Sequence, residues 1–305
     1  MSLFEEKLTI KQYIELVQRK RPALVQHADI PITKWCNQFL TTEDQYIALR
    51  LLFDFIYYDT KKARNAFESL HLKLMSKLRL ETYQKESEVI FLFPGHAKSG
   101  AYMSYLYSQA NNIKVKGALH SEMISGKITE KFYPLDSLKD YHVIEKIESL
   151  GVKNLVLIDD IVVNGGGLSY YLTDEVRKKF ALFDKVFLVT LVASQLGLDR
   201  LKFGWKDRSK PPLLDPIPNL EAIYHQEIWN FDDPKNVAYS KEEKLVLNNW
   251  LSKYMKIIDS SNYKKFDRSK ALVTFDWNTP GTTPMPFCHS RGTWIPLFQR
   301  YSGSG

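Results

Sequence analysis

Two adjacent carboxylates, Asp159 and Asp160, follow four apolar residues, Leu155-Val156-Leu157-Ile158, and precede three consecutive glycines, Gly165, Gly166 and Gly167. Each part of that order has a chemical use. An unbroken apolar run of this length suits a strand buried on both faces of a parallel sheet, and it is expected to end at the acidic pair. A loop leaving the carboxyl end of such a strand faces the crevice where open α/β sheets bind ligands. Glycines let the backbone turn with positive φ and approach a phosphate closely. Leu168-Ser169 then opens a helical pattern expected to continue to Phe180, and a helix N-terminus attracts anions through its unpaired N–H groups and its dipole. The carboxylates are repelled by a phosphate, and suit ribose hydroxyls or a hydrated Mg²⁺. The plainer alternative is a strand-turn-helix in which Asp159 only caps or salt-bridges a neighbour.

A second stretch repeats the logic. Val89-Ile90-Phe91-Leu92-Phe93 is another unbroken apolar run, followed by Pro94-Gly95-His96-Ala97-Lys98-Ser99-Gly100 and a helical segment from Ala101 to Ala110. Strand, basic glycine-bounded loop and helix again make an anion site. Alone this is a common turn; beside residues 155–168 it gains weight.

The elements that must position these loops alternate in type. Lys185 to Ser194 is a third buried strand, Gln195 to Phe203 a helix and Ala222 to His225 a short strand. Strands separated by helices mean a parallel α/β core. Residues 1–85 read as a helical cap, 86–230 as the core, 231–301 as a C-terminal extension, and 302–305 as a flexible tail. In the cap, Pro22 is expected to stop the first helical pattern, Thr41-Thr42-Glu43-Asp44 to start a helix running from Tyr46 to Tyr58, and Ala63 to Leu80 to form the next, with His71 partly exposed or hydrogen-bonded rather than a ligand. Residues 113–121 read as a short strand, 122–145 as a polar connection, and Ile144 to Leu150 as a helix ended by Gly151. In the extension, Ser240-Lys241-Glu242-Glu243 is a capping box opening a helix to about Ile258.

Composition narrows the class. The chain has 305 residues, 44% hydrophobic and 25% charged, ordinary for a globular protein. A net charge of +7 suits polyphosphate ligands and also nucleic acid, but the short basic runs Arg19-Lys20-Arg21 and Arg177-Lys178-Lys179 read as solvated helix ends. Cys36 and Cys288 are the only cysteines, without metal-ligand spacing, which implies a reducing compartment. No signal peptide or membrane-length apolar run is present, so a cytoplasmic location and no membrane partner are expected.

The stretch 155–168 resembles the phosphoribosyl pyrophosphate (PRPP) signature of type I phosphoribosyltransferases: apolar strand, acidic pair, apolar pair, two variable positions, Gly-Gly loop. It departs where members carry Asp-Thr-Gly-Gly-Thr, having Val163-Asn164-Gly165-Gly166-Gly167, without the hydroxyls that help hold a 5′-phosphate. Val163 stands where many members place an acid near the base, and where adenine-specific ones place a small apolar residue. The resemblance implies a Rossmann-like parallel-sheet core, Asp159 and Asp160 as catalytic carboxylates and Mg²⁺ ligands, and Asn164, Gly165, Gly166, Gly167, Leu168 and Ser169 around the 5′-phosphate. It further implies Gly95, His96, Ser99 and Gly100 around the pyrophosphate, with Lys98 neutralising that leaving group, and a closing loop within 122–145. Near the C-terminus, Ala271 to Pro284 with Trp294-Ile295-Pro296-Leu297-Phe298-Gln299-Arg300 resembles phosphoribosyltransferase-like domains of prokaryotic conflict and antiviral-defence systems, including retron effectors. Two readings of Trp277, Asn278 and Thr279 stand: base contacts, or a structural turn. Two functions stand as well. One is an effector acting on PRPP or a nucleotide by phosphoribosyl transfer or hydrolysis, held by an inhibitory defence-system partner. The other is a non-catalytic module that senses such a ligand, transmitting it through homo-oligomer assembly, or that binds nucleic acid.

Overall fold

A computed structural model describes residues 8–78, 89–94, 99–113, 132–169, 171–204, 216–228, 239–261 and 270–300. The chain divides into two units, Met1–Thr60 with Trp229–Gly305, and Lys61–Ile228.

In the second unit five parallel strands form one sheet: β2 (Val89–Phe93), β3 (Phe132–Pro134), β4 (Asn154–Val162), β5 (Lys185–Ala193) and β6 (Leu220–Glu227), in the order β3-β2-β4-β5-β6. The two runs without alternation earn their burial: every residue of β2 is buried, and β4 is buried from Leu155 to Asp160. Helix α5 (Thr60–Leu78) and α6 (Ser99–Ala110) meet through Tyr107, whose ring packs 5.5 Å from Phe67 and 5.6 Å from Phe91 of β2. The hydroxyl of Tyr107 also lies 2.6 Å from Nδ1 of buried His71, and burial pushes that imidazole down to about 4. Alternate residues Ile90, Leu92, Leu155, Leu157, Val186 and Leu188 join a separate cluster with α7 (Tyr141–Ser149) and Val176 and Phe180. Parallel sheets need such cover on both faces.

Several boundaries differ from expectation. β4 does not end at the acidic pair; Ile161 and Val162 keep pairing with Val192 and Ala193. The helical pattern from Leu168 to Phe180 is broken into α8 (Gly166–Ser169) and α9 (Asp174–Lys179), because Thr173 caps a fresh start by accepting from the Val176 N–H at 3.4 Å. Phe132-Tyr133-Pro134, placed in a polar connection, is instead an edge strand paired with β2. Most of the strand expected at 113–121 lies outside the described residues.

In the first unit, α1 (Ile10–Lys20), α2 (Pro22–His27), α3 (Ile32–Cys36) and α4 (Thr42–Asp54) share a core with α11 (Lys241–Ile258) and α12 (Met285–Cys288). Pro22 begins α2 rather than merely stopping α1, since a missing N–H costs nothing at the first helical position. The helix expected to reach Tyr58 stops at Asp54, and Ile56–Tyr58 becomes β1, parallel to β7 (Val273–Phe275). Trp35, Phe39, Trp250, Tyr254, Phe287 and Trp294 interlock here, with ring centroids such as Phe39–Tyr254 at 4.8 Å and Trp35–Phe287 at 5.1 Å. The capping box holds as expected: Ser240 Oγ accepts from Glu243 N at 3.1 Å and Glu243 Oε2 from Ser240 N at 2.8 Å. Both cysteines are buried and their thiols pushed up to about 12, so neither is a poised nucleophile.

Candidate functional site

The strand order has one reversal. From β2 the chain crosses to β3 on one side, then returns to β4 on the other and proceeds outward through β5 and β6. The crevice beyond the carboxyl ends of β2 and β4 is therefore the topological switch point, where open α/β sheets bind ligands. Both candidate loops leave from these two neighbouring strands.

On β4, Asp159 and Asp160 are 8% and 5% exposed. Asp159 pairs in register with Thr190, and its Oδ1 accepts the Asp160 N–H at 2.9 Å. Burial, then the charge of Asp160 and a hydrogen bond to its side chain, hold the Asp159 carboxyl well above the usual carboxylate range. Two carboxyls this close cannot both ionise cheaply, and a shared proton, a cation or hydroxyl donors relieve such a pair.

Beyond β4, buried Val163 leads to Asn164, whose Oδ1 accepts from Gly166 N at 2.9 Å, a side-chain-closed turn that fixes the loop without the missing hydroxyls. Gly165 has φ +74°, a conformation that makes glycine the fitting residue. Gly167 is exposed, and a Cβ there would meet nothing within 4 Å, so its backbone is open to a ligand. Leu168 turns into the core. α8 spans four residues, so the anion-attracting helix envisaged from Leu168 to Phe180 is not one continuous element.

At the end of β2, Ser99 and Gly100 open α6, directly beside β4. A Cβ on Gly100 would lie 2.6 Å from the Pro94 carbonyl oxygen, so the ends of the intervening loop touch, and only glycine permits it. Gly95, His96 and Lys98, and the side chain of Ser169, lie outside the described residues.

Three residues that the sequence reading passed over support the glycine loop. They belong to α10 (Gln195–Phe203) and its cap: Ser194, Gly197 and Arg200. Ser194 Oγ donates to the Val163 carbonyl and accepts from Gly197 N at 3.1 Å. Arg200 Nη1 donates to the Asn164 carbonyl at 3.2 Å. Ser194 before a helical run was a readable capping cue; what it touches across the sheet edge was not.

A family model, PRTase-CE, matches residues 32–300. The chain belongs to the PRTase-CE family. Its phosphoribosyltransferase-like character agrees with the parallel sheet and its switch point. The match takes in both units, so the aromatic unit is part of what defines the family member and not an unrelated attachment. No curated protein and no solved structure matches the chain.

In the first unit, the C-terminal turn considered for base contact is occupied structurally at two points. Thr279, 1% exposed, bonds through Oγ1 to Thr274 Oγ1 at 2.9 Å, and the Trp277 ring stacks on Phe275 at 4.8 Å. Trp294 is a core residue whose Nε1 donates to the Pro286 carbonyl at 3.2 Å. Among the described residues no helix is long and apolar enough to cross a membrane.

Proposed function

We propose that this PRTase-CE member binds a phosphorylated ribose ligand, PRPP or a related nucleotide, at the switch point, and transfers or hydrolyses its phosphoribosyl group. The observation that carries the reading is the joint placement of a buried acidic pair on β4 and an open glycine loop immediately after it. Asp159 and Asp160 would orient the ribose hydroxyls and stabilise positive charge developing at the anomeric carbon. The backbone from Asn164 to Leu168 would hold the 5′-phosphate, and the start of α6 at Ser99 and Gly100 would face the pyrophosphate. In the reaction the anomeric C–O bond breaks with its electron pair leaving on the pyrophosphate. A new bond forms to a base nitrogen or to water, whose proton goes to solvent or product. Positioning and charge neutralisation supply most of the rate, with little covalent work by the protein.

The donor set fits Mg²⁺. The described residues hold no group of three metal-ligating side chains, but Mg²⁺ characteristically takes one or two carboxylates and fills its remaining positions with water and ligand oxygens. Asp159 and Asp160 would hold it, and when bound it supplies positive charge that offsets the pyrophosphate and the crowded carboxylates.

The proposed role in prokaryotic antiviral defence rests on the C-terminal resemblance to defence-associated domains and on family membership. The test is pyrophosphate release from PRPP and Mg²⁺, with adenine, with other bases and with water alone as acceptor. Release that Asp159→Asn with Asp160→Asn abolishes supports catalysis. Tight binding without release under all acceptors would replace it with a sensor, a reading favoured by the loop without hydroxyls.

A further inference from the structure

The contacts between α10 and the glycine loop have a regular geometry. Ser194, Gly197 and Arg200 stand three residues apart, so they follow one side of the helix. All three meet the loop: Ser194 at Val163, Gly197 at Val163 and Gly165, and Arg200 at Asn164 and Gly165. At Gly197 a Cβ would lie 2.8 Å from the Val163 carbonyl oxygen and 2.9 Å from Val162 Cγ1, so the helix sits against the loop backbone as closely as any residue allows. At Gly165 the nearest atoms to an added Cβ are Gly197 O at 3.4 Å, Leu201 Cγ at 3.6 Å and Arg200 Cβ at 3.7 Å. The stem of Arg200 thus lies along the glycine turn, and its head is hydrogen-bonded to the preceding carbonyl.

This arrangement answers a deficit in the loop itself. Val163-Asn164-Gly165-Gly166-Gly167 carries neither a hydroxyl nor a cation. Asn164 spends its side-chain oxygen on the Gly166 N–H, an internal closure. A phosphate gains most from charge-assisted hydrogen bonds and from a guanidinium, whose charge persists at every physiological pH. Among the described residues, Arg200 is the cation hydrogen-bonded to this loop. It does so from a different strand-helix connection, held by a nine-residue helix that is capped at Ser194.

We propose that Arg200 is the residue that sets the affinity of the glycine loop for the ligand's 5′-phosphate, bracing Asn164 and placing a permanent positive charge beside Gly165. Ser194 and Gly197 fix the helix so that this charge is delivered at one place. The proposal rests on the reading of residues 163–168 as a phosphate cradle, and it identifies where that cradle's charge comes from. It also explains how the loop dispenses with hydroxyls: a cation on the adjacent helix does their work.

The test uses the full chain with ribose 5-phosphate and, separately, pyrophosphate, each with Mg²⁺, in titration calorimetry of wild type, Arg200→Gln and Arg200→Lys. Arg200→Gln is expected to weaken ribose 5-phosphate about tenfold or more, the size of one charge-assisted contact, and to leave pyrophosphate unchanged. Arg200→Lys, which keeps the charge and loses the fork, is expected to recover a large part of that loss. Raising the salt should weaken ribose 5-phosphate less in Arg200→Gln than in wild type, because one of the charges being screened is gone. Unchanged ribose 5-phosphate affinity in Arg200→Gln would overturn the proposal and leave the phosphate-cradle reading standing. Equal losses for both ligands in both variants, with a matching fall in Tm, would make Arg200 a structural brace and also overturn it. Failure of wild type to bind either ribose 5-phosphate or PRPP would remove the cradle reading, and this proposal with it.

Discussion

Asp44 in the first unit and Asp159 in the second are both buried carboxylates, 6% and 8% exposed, yet their surroundings are opposite. Burial raises Asp44, but a hydrogen bond from Lys253 Nζ at 2.7 Å, another from Thr41 Oγ1 at 2.7 Å and the charge of Lys253 bring it below its ordinary value. Asp259 also has its partners built in, bonded by Arg291 and by Ser261 Oγ at 2.8 Å. Asp159 is instead pushed upward by burial and by a second carboxylate. The first arrangement completes itself within the fold. The second sets two carboxyls against each other in a buried strand, an arrangement that a cation or hydroxyl donor would relieve. A buried charge with its counterion built in is architecture; a buried like-charge pair at a switch point is a candidate site.

The comparison can be broken most severely at the glycines. Gly197→Ala should cost about 1–3 kcal/mol, since the clash is with backbone that cannot rotate away, and Gly100→Ala should cost a similar amount against Pro94. Gly167→Ala, with open space around it, should leave urea-unfolding stability nearly unchanged and show its effect on ribose 5-phosphate binding instead. Equal destabilisation by all three would mean that the loop is merely structural.

pH separates the carboxyl pair from the ordinary buried groups. His71 has its pKa lowered from 6.5 to about 4, so between those values the unfolded chain binds the proton and stability rises with pH. That rise amounts to at most about 3 kcal/mol. Asp159 acts in reverse: its folded pKa is raised above 3.8, so the stability it contributes is lost as pH rises through the folded value. Asp159→Asn with Asp160→Asn should therefore make stability rise more steeply between pH 4 and 6.5, while His71→Gln should flatten it. Unfolding in urea at several pH values reads both.

Next in size, Asp44→Ala should destabilise by about 2 kcal/mol through loss of a partly buried ion pair, and leave ligand binding unaffected. Ser240→Ala, removing an exposed capping box, should cost about 1 kcal/mol with the same neutral effect on binding.

The strands that carry the site were legible because β2, β4 and β5 are unbroken apolar runs, and a parallel sheet buried on both faces leaves no other pattern. The placement of Asp159 and Asp160 on a core strand, and of the glycines in the turn after it, was legible from order alone. What escaped the reading was short or non-local. β3 has three residues, too few for any period to show. β1 hides at the end of a helical apolar run, and its pairing with β7 joins Ile56 to Val273, far apart in the chain. Thr173-Asp174-Glu175 marked a new helix start, but the apolar residues around it masked the break. Ser194, Gly197 and Arg200 are ordinary residues of a surface helix in sequence, and only the β4–β5 pairing brings them to the loop.

The measurement that tests the central claim most directly is titration of PRPP with Mg²⁺ into wild type and the Asp159→Asn/Asp160→Asn variant at matched Tm. Saturable binding by wild type, weakened at least about 100-fold in the variant through loss of two charge-assisted contacts, is the predicted result. Binding equal in the two proteins, or absent from wild type, would contradict the account of the β4 acidic pair as a ligand site.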